Sequence, residues 1–281
     1  MQKNPRRFLL VIFAGVFLLS SALLLRQTVD YRSGESVYDE AAALASAPNF
    51  PAIAEEELVT FEEEAVPLAA LPEEITTDTA EPAKEEVVWV DPYADALAAM
   101  DFTALQNAND DVFGWITIPT TRLSYPLLQG EDNEYYLNRT WRKGRNSVGA
   151  IFMDYRASRD LSDFHTVIYG HRMNNRSMFG TLLSYADPTY LAANPTVYIA
   201  DKNGSHAYDI FAVYEAENMA TYKLDFADDS EKLTFLNYCV EKSLHETGIT
   251  PEVDDRILTL STCTGNGHDS RWVVQAALRE E

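Results

Sequence analysis

The chain has 281 residues, with 22 Lys and Arg against 44 Asp and Glu, a formal charge of −22. Phosphate binding needs clustered Lys and Arg, and no such cluster occurs beyond the N-terminus, so this acidity argues against nucleic acid as a partner. The length allows one or two domains, and the two cysteines permit at most one disulfide.

Residues 8–25, FLLVIFAGVFLLSSALLL, contain no charge. Eighteen residues at 1.5 Å each span about 27 Å, enough to cross a hydrocarbon core of about 30 Å. Lys3, Arg6 and Arg7 precede the run and should stay cytoplasmic, which puts the rest of the chain outside. A cleaved signal peptide is the rival reading. The run exceeds the usual apolar core of such a peptide and no A-x-A site follows it, so residues 1–26 are expected to be a cytoplasmic tip and transmembrane anchor.

Residues 27–90 are rich in Ala, Glu, Pro and Thr. Residues 35–91 hold 16 acids and one base, Lys84, so they carry 1 − 16 = −15 of the total charge. Such a segment has too little apolar surface to offset its ordering entropy. It is expected to be a disordered acidic spacer, with room for a short helix near residues 36–45. The folded part is then expected over 91–281, able to stand alone once 1–90 are deleted.

From residue 91 the texture changes. One or two helical turns in DPYADALAAMDFTALQNAND lead into eight strand-like runs, at 112–119, 123–129, 148–154, 165–171, 196–201, 206–217, 255–263 and 271–279. Gly, Pro, Asn and Asp fill the intervals. Eight short strands in so few residues predict a mainly β protein, a closed or nearly closed eight-stranded barrel. Helices are predicted at 132–138, 176–185, 188–193 and 229–246. In the last, Leu233, Leu236, Val240 and Leu244 recur at helical spacing, with Asp229 or Ser230 as start cap and Gly248 as end cap. Cys239 falls inside that stripe and reads as a small core side chain.

The chemistry concentrates in TLSTCTGNGHDSRWVVQAAL, residues 259–278. Alternation puts Ile257, Thr259, Ser261 and Cys263 on one strand face and Leu258, Leu260 and Thr262 on the other. Seven residues with two glycines separate Cys263 from Arg271, a plausible hairpin loop. Antiparallel pairing of Cys263 with Arg271 would bring their Cβ atoms to about 5 Å. A guanidinium there favours a thiolate, or an oxyanion forming beside it. The base is either His171, after Gly170 at the end of TVIYGH, or His268 in the loop. His206 starts a strand and His245 ends a helix. No metal-ligand spacing such as HExxH or CxxC occurs, and GNG at 265–267 is too short for a phosphate loop.

TLSTC at 259–263, the following Arg271 and VIYGHRM at 167–173 together resemble a sortase, the exported cysteine transpeptidases of Gram-positive bacteria. The resemblance covers about residues 93–279. It implies a sortase barrel, Cys263 as nucleophile, His171 as acid/base, and Arg271 as substrate clamp and oxyanion stabiliser, with no cofactor or metal. It also implies a substrate groove near Asn133, Leu137, Tyr222, Ser261 and Thr262. Of these, the alternation supports Ser261. DNEYYL at 132–137 and the long helix before the Cys strand resemble class B members. DPY at 91–93 superficially resembles the lid of class C pilin-polymerising members. The implied partners are surface proteins bearing an LPxTG or NPxTG sorting signal, a peptidoglycan precursor or cross-bridge amine (or a pilin lysine), and the membrane. A peptidoglycan cross-linking cysteine transpeptidase is a weaker match, because STC lacks its Gly before Cys. A non-enzymatic binding module with a Cys239–Cys263 disulfide is the other alternative.

Overall fold

A computed structural model describes residues 5–50, 91–217, 219–264 and 270–279, with side chains from residue 13 onward. Eight strands close a barrel in the order β1-β2-β3-β4-β7-β8-β6-β5. They are β1 (Val112–Thr117), β2 (Ser124–Leu128), β3 (Ile151–Met153), β4 (His165–Tyr169), β5 (Thr196–Asp201), β6 (Gly204–Ala216), β7 (Ile257–Cys263) and β8 (Arg271–Leu278). Seven of them fall within a strand run read from the sequence, and β6 starts two residues before its run, at Gly204. Pairing is antiparallel except β2 with β3 and β4 with β7. Closure removes the free edges that an open sheet would expose.

Among the described residues, five α-helices accompany the barrel: α1 (Pro5–Leu44), α2 (Ala94–Ala98), α3 (Thr103–Ala108), α4 (Pro188–Ala193) and α5 (Asp229–Lys242). Short 3₁₀ helices form at Tyr135–Asn138, Phe179–Ala186 and Met219–Tyr222. The main core fills the barrel and includes Ile116, Ile168, Ile199, Leu258, Leu260 and Val274. A second cluster lies on the outer face, where Phe235, Leu236 and Cys239 of α5 cover Phe211, Tyr214, Ile257 and Val273.

The buried face of α5 differs from the expected stripe. Leu233, Val240 and Leu244 are exposed, while Phe235 and Cys239 join Leu236 inside. Phe235 and Cys239, four residues apart, share one helix face. An aromatic ring buries more area than the leucines on the neighbouring face. Asp228, not Asp229 or Ser230, caps the helix by accepting from Glu231 N at 3.0 Å, and the helix ends at Ser243 rather than near Gly248. Cys239 is a buried free thiol, with Tyr214 Oη 3.8 Å from its sulfur. Burial pushes that thiol up to about 11. Cys263 is also free, so the disulfide alternative is not realised.

The largest departure from the sequence reading is α1. It does not stop at the apolar run but continues to Leu44, through the first third of the expected spacer. Tyr38, Ala41 and Ala45 are buried against the barrel. Trp141 Nε1 donates to Val37 O at 2.8 Å, and Arg142 pairs with Glu40. Composition suggested disorder here, but Asp30, Gly34, Tyr38, Ala41 and Ala45 recur at three- and four-residue steps, which is one helix face. The remainder of the expected spacer, 51–90, lies outside the described residues. Among those described, α1 is the one helix long and apolar enough to cross a membrane by length and composition.

The barrel therefore borrows core from α1, and deletion of 1–90 no longer reads as harmless. In denaturant unfolding, a chain beginning at residue 27 should match the full chain. One beginning at residue 91 should lose about 3 kcal/mol or more, the usual scale for removing a large buried aromatic. Equal stability of the two truncations would show that α1 docking contributes nothing.

Candidate active site

Three neighbouring strands assemble the site. β4 and β7 run parallel, with Thr166 beside Leu258 and Tyr169 beside Ser261, and Gly170 N donates to Ser261 O at 3.2 Å. Two residues beyond Tyr169 stands His171, and two beyond Ser261 stands Cys263. On the other side β7 pairs antiparallel with β8, and the last pair of that ladder is Cys263 with Arg271, the pairing expected from the loop length. All three residues line one cleft of about 390 Å³, together with Leu137, Tyr169, Met219, Tyr222, Ser261 and Thr262.

The outward face of β7 is filled in order along its length. Ile257 is covered by α5. Thr259 is fully buried and hydrogen-bonded. Gln275 Nε2 donates to its hydroxyl at 2.9 Å, and His165 Nε2 lies 2.7 Å from the same oxygen. Ser261 Oγ is 2.8 Å from Tyr222 Oη. Cys263, at the end of the strand, is the partly exposed member. Thr262 points the other way and its Oγ1 is buried with no hydrogen-bond partner in the protein.

His171 follows Gly170, whose hydrogen could not be replaced by a methyl group. A Cβ there would lie 2.5 Å from Ile151 Cδ1 and 2.7 Å from the Phe179 ring. His171 Nε2 is hydrogen-bonded to Leu137 O, and His171 O accepts from Phe179 N at 3.0 Å. The ends of the Cys–Arg connection are held from both sides. Arg172 donates to Thr264 O at 2.7 Å, Thr264 and Ser270 share a hydroxyl contact at 3.1 Å, and Ser270 donates to Glu215. Arg271 Nη1 donates to Ser270 O at 3.0 Å. His268, the rival base, lies outside the described residues.

Of the groove residues, Leu137, Tyr222, Ser261 and Thr262 reach the cleft and Asn133 does not. Asn133 instead donates to Asp154 Oδ2 at 2.9 Å and accepts from Tyr155 N at 3.1 Å. Asp154, with no exposed side-chain area, also receives a two-point contact from Arg156 and the Tyr169 hydroxyl at 3.0 Å. Burial would raise its carboxyl, but these donors outweigh it and hold the group down to about 2. Tyr169 then stacks on Tyr222, ring centres 6.4 Å apart. Asn133 thus reaches the cleft only through Asp154 and this stack. Asp154, Tyr169 and the exposed Met219 were not singled out from the sequence. MDYR at 153–156 offered a hint, since an acid followed two residues later by Arg can close an ion pair.

DPY at 91–93 is not a lid on this cleft. Asp91 accepts from Tyr198 Oη at 2.8 Å and from Arg279 at 3.1 Å, at the end of β8 opposite Arg271. Among the described residues, no group of acidic, His and Cys side chains is arranged to hold a metal.

The sortase domain family matches residues 116–279. The chain is similar to sortase B of Listeria monocytogenes, 36% identical over 177 residues, which covers 62% of this chain and 72% of that protein. It is similar to sortase B from B. anthracis in complex with AAEK1, with a TM-score of 0.67 and 28% identity, covering 90% of this chain and 100% of that one. A Staphylococcus aureus sortase B–substrate complex matches with a TM-score of 0.60 and 31% identity, covering 64% of this chain and 84% of that one. The chain belongs to the sortase family and is a cysteine transpeptidase of that family. Within it, these relatives are all class B.

His165 gives the site a measurable pH signature. It is fully buried, with Nδ1 2.6 Å from Lys223 O, and burial lowers its pKa to about 4. The unfolded residue titrates near 6.5. Between these values the unfolded chain takes up a proton that the native chain does not, so stability is full above about pH 6.5 and falls as the pH drops toward 4. The drop should total ~3 kcal/mol. His165→Asn should flatten this slope, whatever its effect on absolute stability. A wild-type stability curve that stays level from pH 6.5 to 4 would show that His165 does not set it.

Proposed function

We propose that the enzyme sits in the membrane through the apolar part of α1, N-terminus in the cytoplasm and barrel outside. There it cleaves a C-terminal sorting signal of the LPxTG or NPxTG kind after Thr and passes the acyl group to a cell-wall amine. The observation that carries this reading is the cleft itself, where Cys263, His171 and Arg271 from three adjacent strands share one wall. Exposed Leu137 and Met219 give that cleft an apolar rim for a peptide side chain. The S. aureus relative, solved as a substrate complex, lends support from a similar fold.

The Cys263 sulfur attacks the Thr carbonyl carbon, forming the S–C bond and pushing the carbonyl electrons onto oxygen. The Arg271 guanidinium offers that oxygen a charge-assisted donor. As the tetrahedral centre collapses, His171 protonates the departing Gly amine and a thioester remains. The acceptor amine then gives its proton to His171 and displaces the thiolate, forming the new amide. Ser261 and Tyr222, whose hydroxyls meet at 2.8 Å, offer polar groups along the cleft wall for the peptide backbone, whereas the Thr262 hydroxyl is buried on the opposite strand face.

Single-turnover acylation, read as adduct mass, tests the roles. Cys263→Ala should abolish the adduct, while Cys239→Ala, in the apolar cluster beneath α5 and outside the cleft, should keep at least about a tenth of the rate, since it only trims a buried side chain. Lys keeps a charge but loses the planar fork, so Arg271→Lys should lose about a hundredfold or more and Arg271→Ala still more. Wild-type acylation by Arg271→Ala would remove this residue from the mechanism.

A further inference from the structure

The anchor helix reaches the active site through one short stretch of chain. Along one face of α1, Asp30, Gly34 and Tyr38 stand four residues apart, and they meet residues 146–149 in order. Asn146 Nδ2 donates to Asp30 O at 3.0 Å, and Ser147 N donates to the Asp30 carboxylate at 3.1 Å. Gly34 packs so tightly on Val148 that a Cβ would lie 2.7 Å from its Cγ2. Tyr38 donates its hydroxyl to Gly149 O. Burial raises that phenol well above its ordinary range, so it stays a donor.

The other side of Gly149 faces the site. Its φ is +61°, and a Cβ would lie 2.8 Å from His171 Cδ2, 2.8 Å from Tyr136 O and 2.9 Å from Leu137 O. Leu137 O is the carbonyl that holds His171 Nε2. Ala150 N donates to Tyr136 O at 3.0 Å. Residues 149–150 are therefore clamped between α1 and the 3₁₀ turn that orients the imidazole.

We propose that Tyr38 is a positioning residue for His171, acting through Gly149, so that docking of the membrane-anchor helix sets the geometry of the acid/base. This rests on the reading of His171 given above. Nothing in it requires α1 to touch substrate: the hydroxyl fixes one carbonyl, the glycine backs the ring, and the ring is held at Leu137 O. An acid misplaced by a fraction of an ångström slows proton transfer without weakening peptide binding.

The test uses the full chain in detergent micelles, with a fluorogenic sorting-signal peptide and ¹³C-histidine labelling. Tyr38→Phe keeps the ring and its packing and removes only the hydroxyl. It should lower kcat about fivefold or more with KM within about twofold. It should also move the His171 ring resonance, assigned by its loss in His171→Gln. Gly34→Val, which wedges α1 off Val148, should do the same more strongly. Glu40→Ala breaks an exposed contact of the same helix with Arg142 and should leave both readouts unchanged. Wild-type kcat and an unmoved His171 signal in Tyr38→Phe would overturn the proposal. So would equal losses in Tyr38→Phe and Glu40→Ala, which would reduce the helix to general support. If His171→Gln itself acylates at the wild-type rate, the assignment of the acid/base has failed instead, and the two failures are separable.

Discussion

The hydrogen-bond register of β4, β7 and β8 is the constraint on which the site depends. A ladder fixes which residues stand side by side, and strand alternation fixes which face each presents. A slip of one residue in β7 would turn Cys263 into the barrel and bring Leu260 or Thr262 out to the cleft. The slip is opposed at every step. Leu258 and Leu260 are buried inside the barrel, Ile257 lies under α5, and Thr259 is engaged by both His165 and Gln275. The face that carries Cys263 is thus held by residues outside the cleft, and its open end alone is left for the chemistry proposed above.

Polar groups beneath the cleft do a second part of this work. A buried carboxylate with unmet acceptors would be costly. Asp154 avoids that cost by taking donors from Arg156, Asn133, Tyr169 and its own downstream backbone. Each donor is thereby fixed in turn. Tyr169 is held where it can stack on Tyr222, and Tyr222 is held against Ser261. Asn133, which resemblance to the family had suggested as a groove residue, belongs to this supporting layer.

The barrel strands and the Cys263–Arg271 pair were legible in the sequence because they rest on local signals: alternation, turn residues and a loop length that permits only certain pairings. His171 was legible as a glycine-flanked strand end, though the strand physics alone left His268 beside it. Three features were not legible. The docked half of α1 was hidden because its buried face uses Gly, Ala, Asp and Tyr rather than leucines, so a compositional reading saw only an acidic, low-hydrophobicity stretch. The buried face of α5 was misjudged because two neighbouring stripes are both apolar, and the choice between them lies in the sheet they meet. Asp154 is a lone acid whose meaning comes from partners at positions 133, 156 and 169, two of them on other elements.

The docking of α1 also changes what the acidic stretch at 51–90 can be. A tether must join two bodies that would otherwise be apart. Here the chain leaves the described structure at Phe50 and returns at Asp91, and the two ends are already together. The Phe50 ring lies 4.9 Å from that of Tyr93, and Asp101 N donates to Ala45 O at 3.2 Å. The connection between the apolar run and the barrel is instead the helix itself. Nineteen residues from Arg26 to Leu44 would rise about 28 Å. With residues 8–25 in the bilayer, as proposed, that rise, and not the reach of an extended spacer, determines how far the barrel stands from the membrane. The acidic stretch starts and ends on the barrel side of this strut, so its length is not constrained by the distance to the membrane.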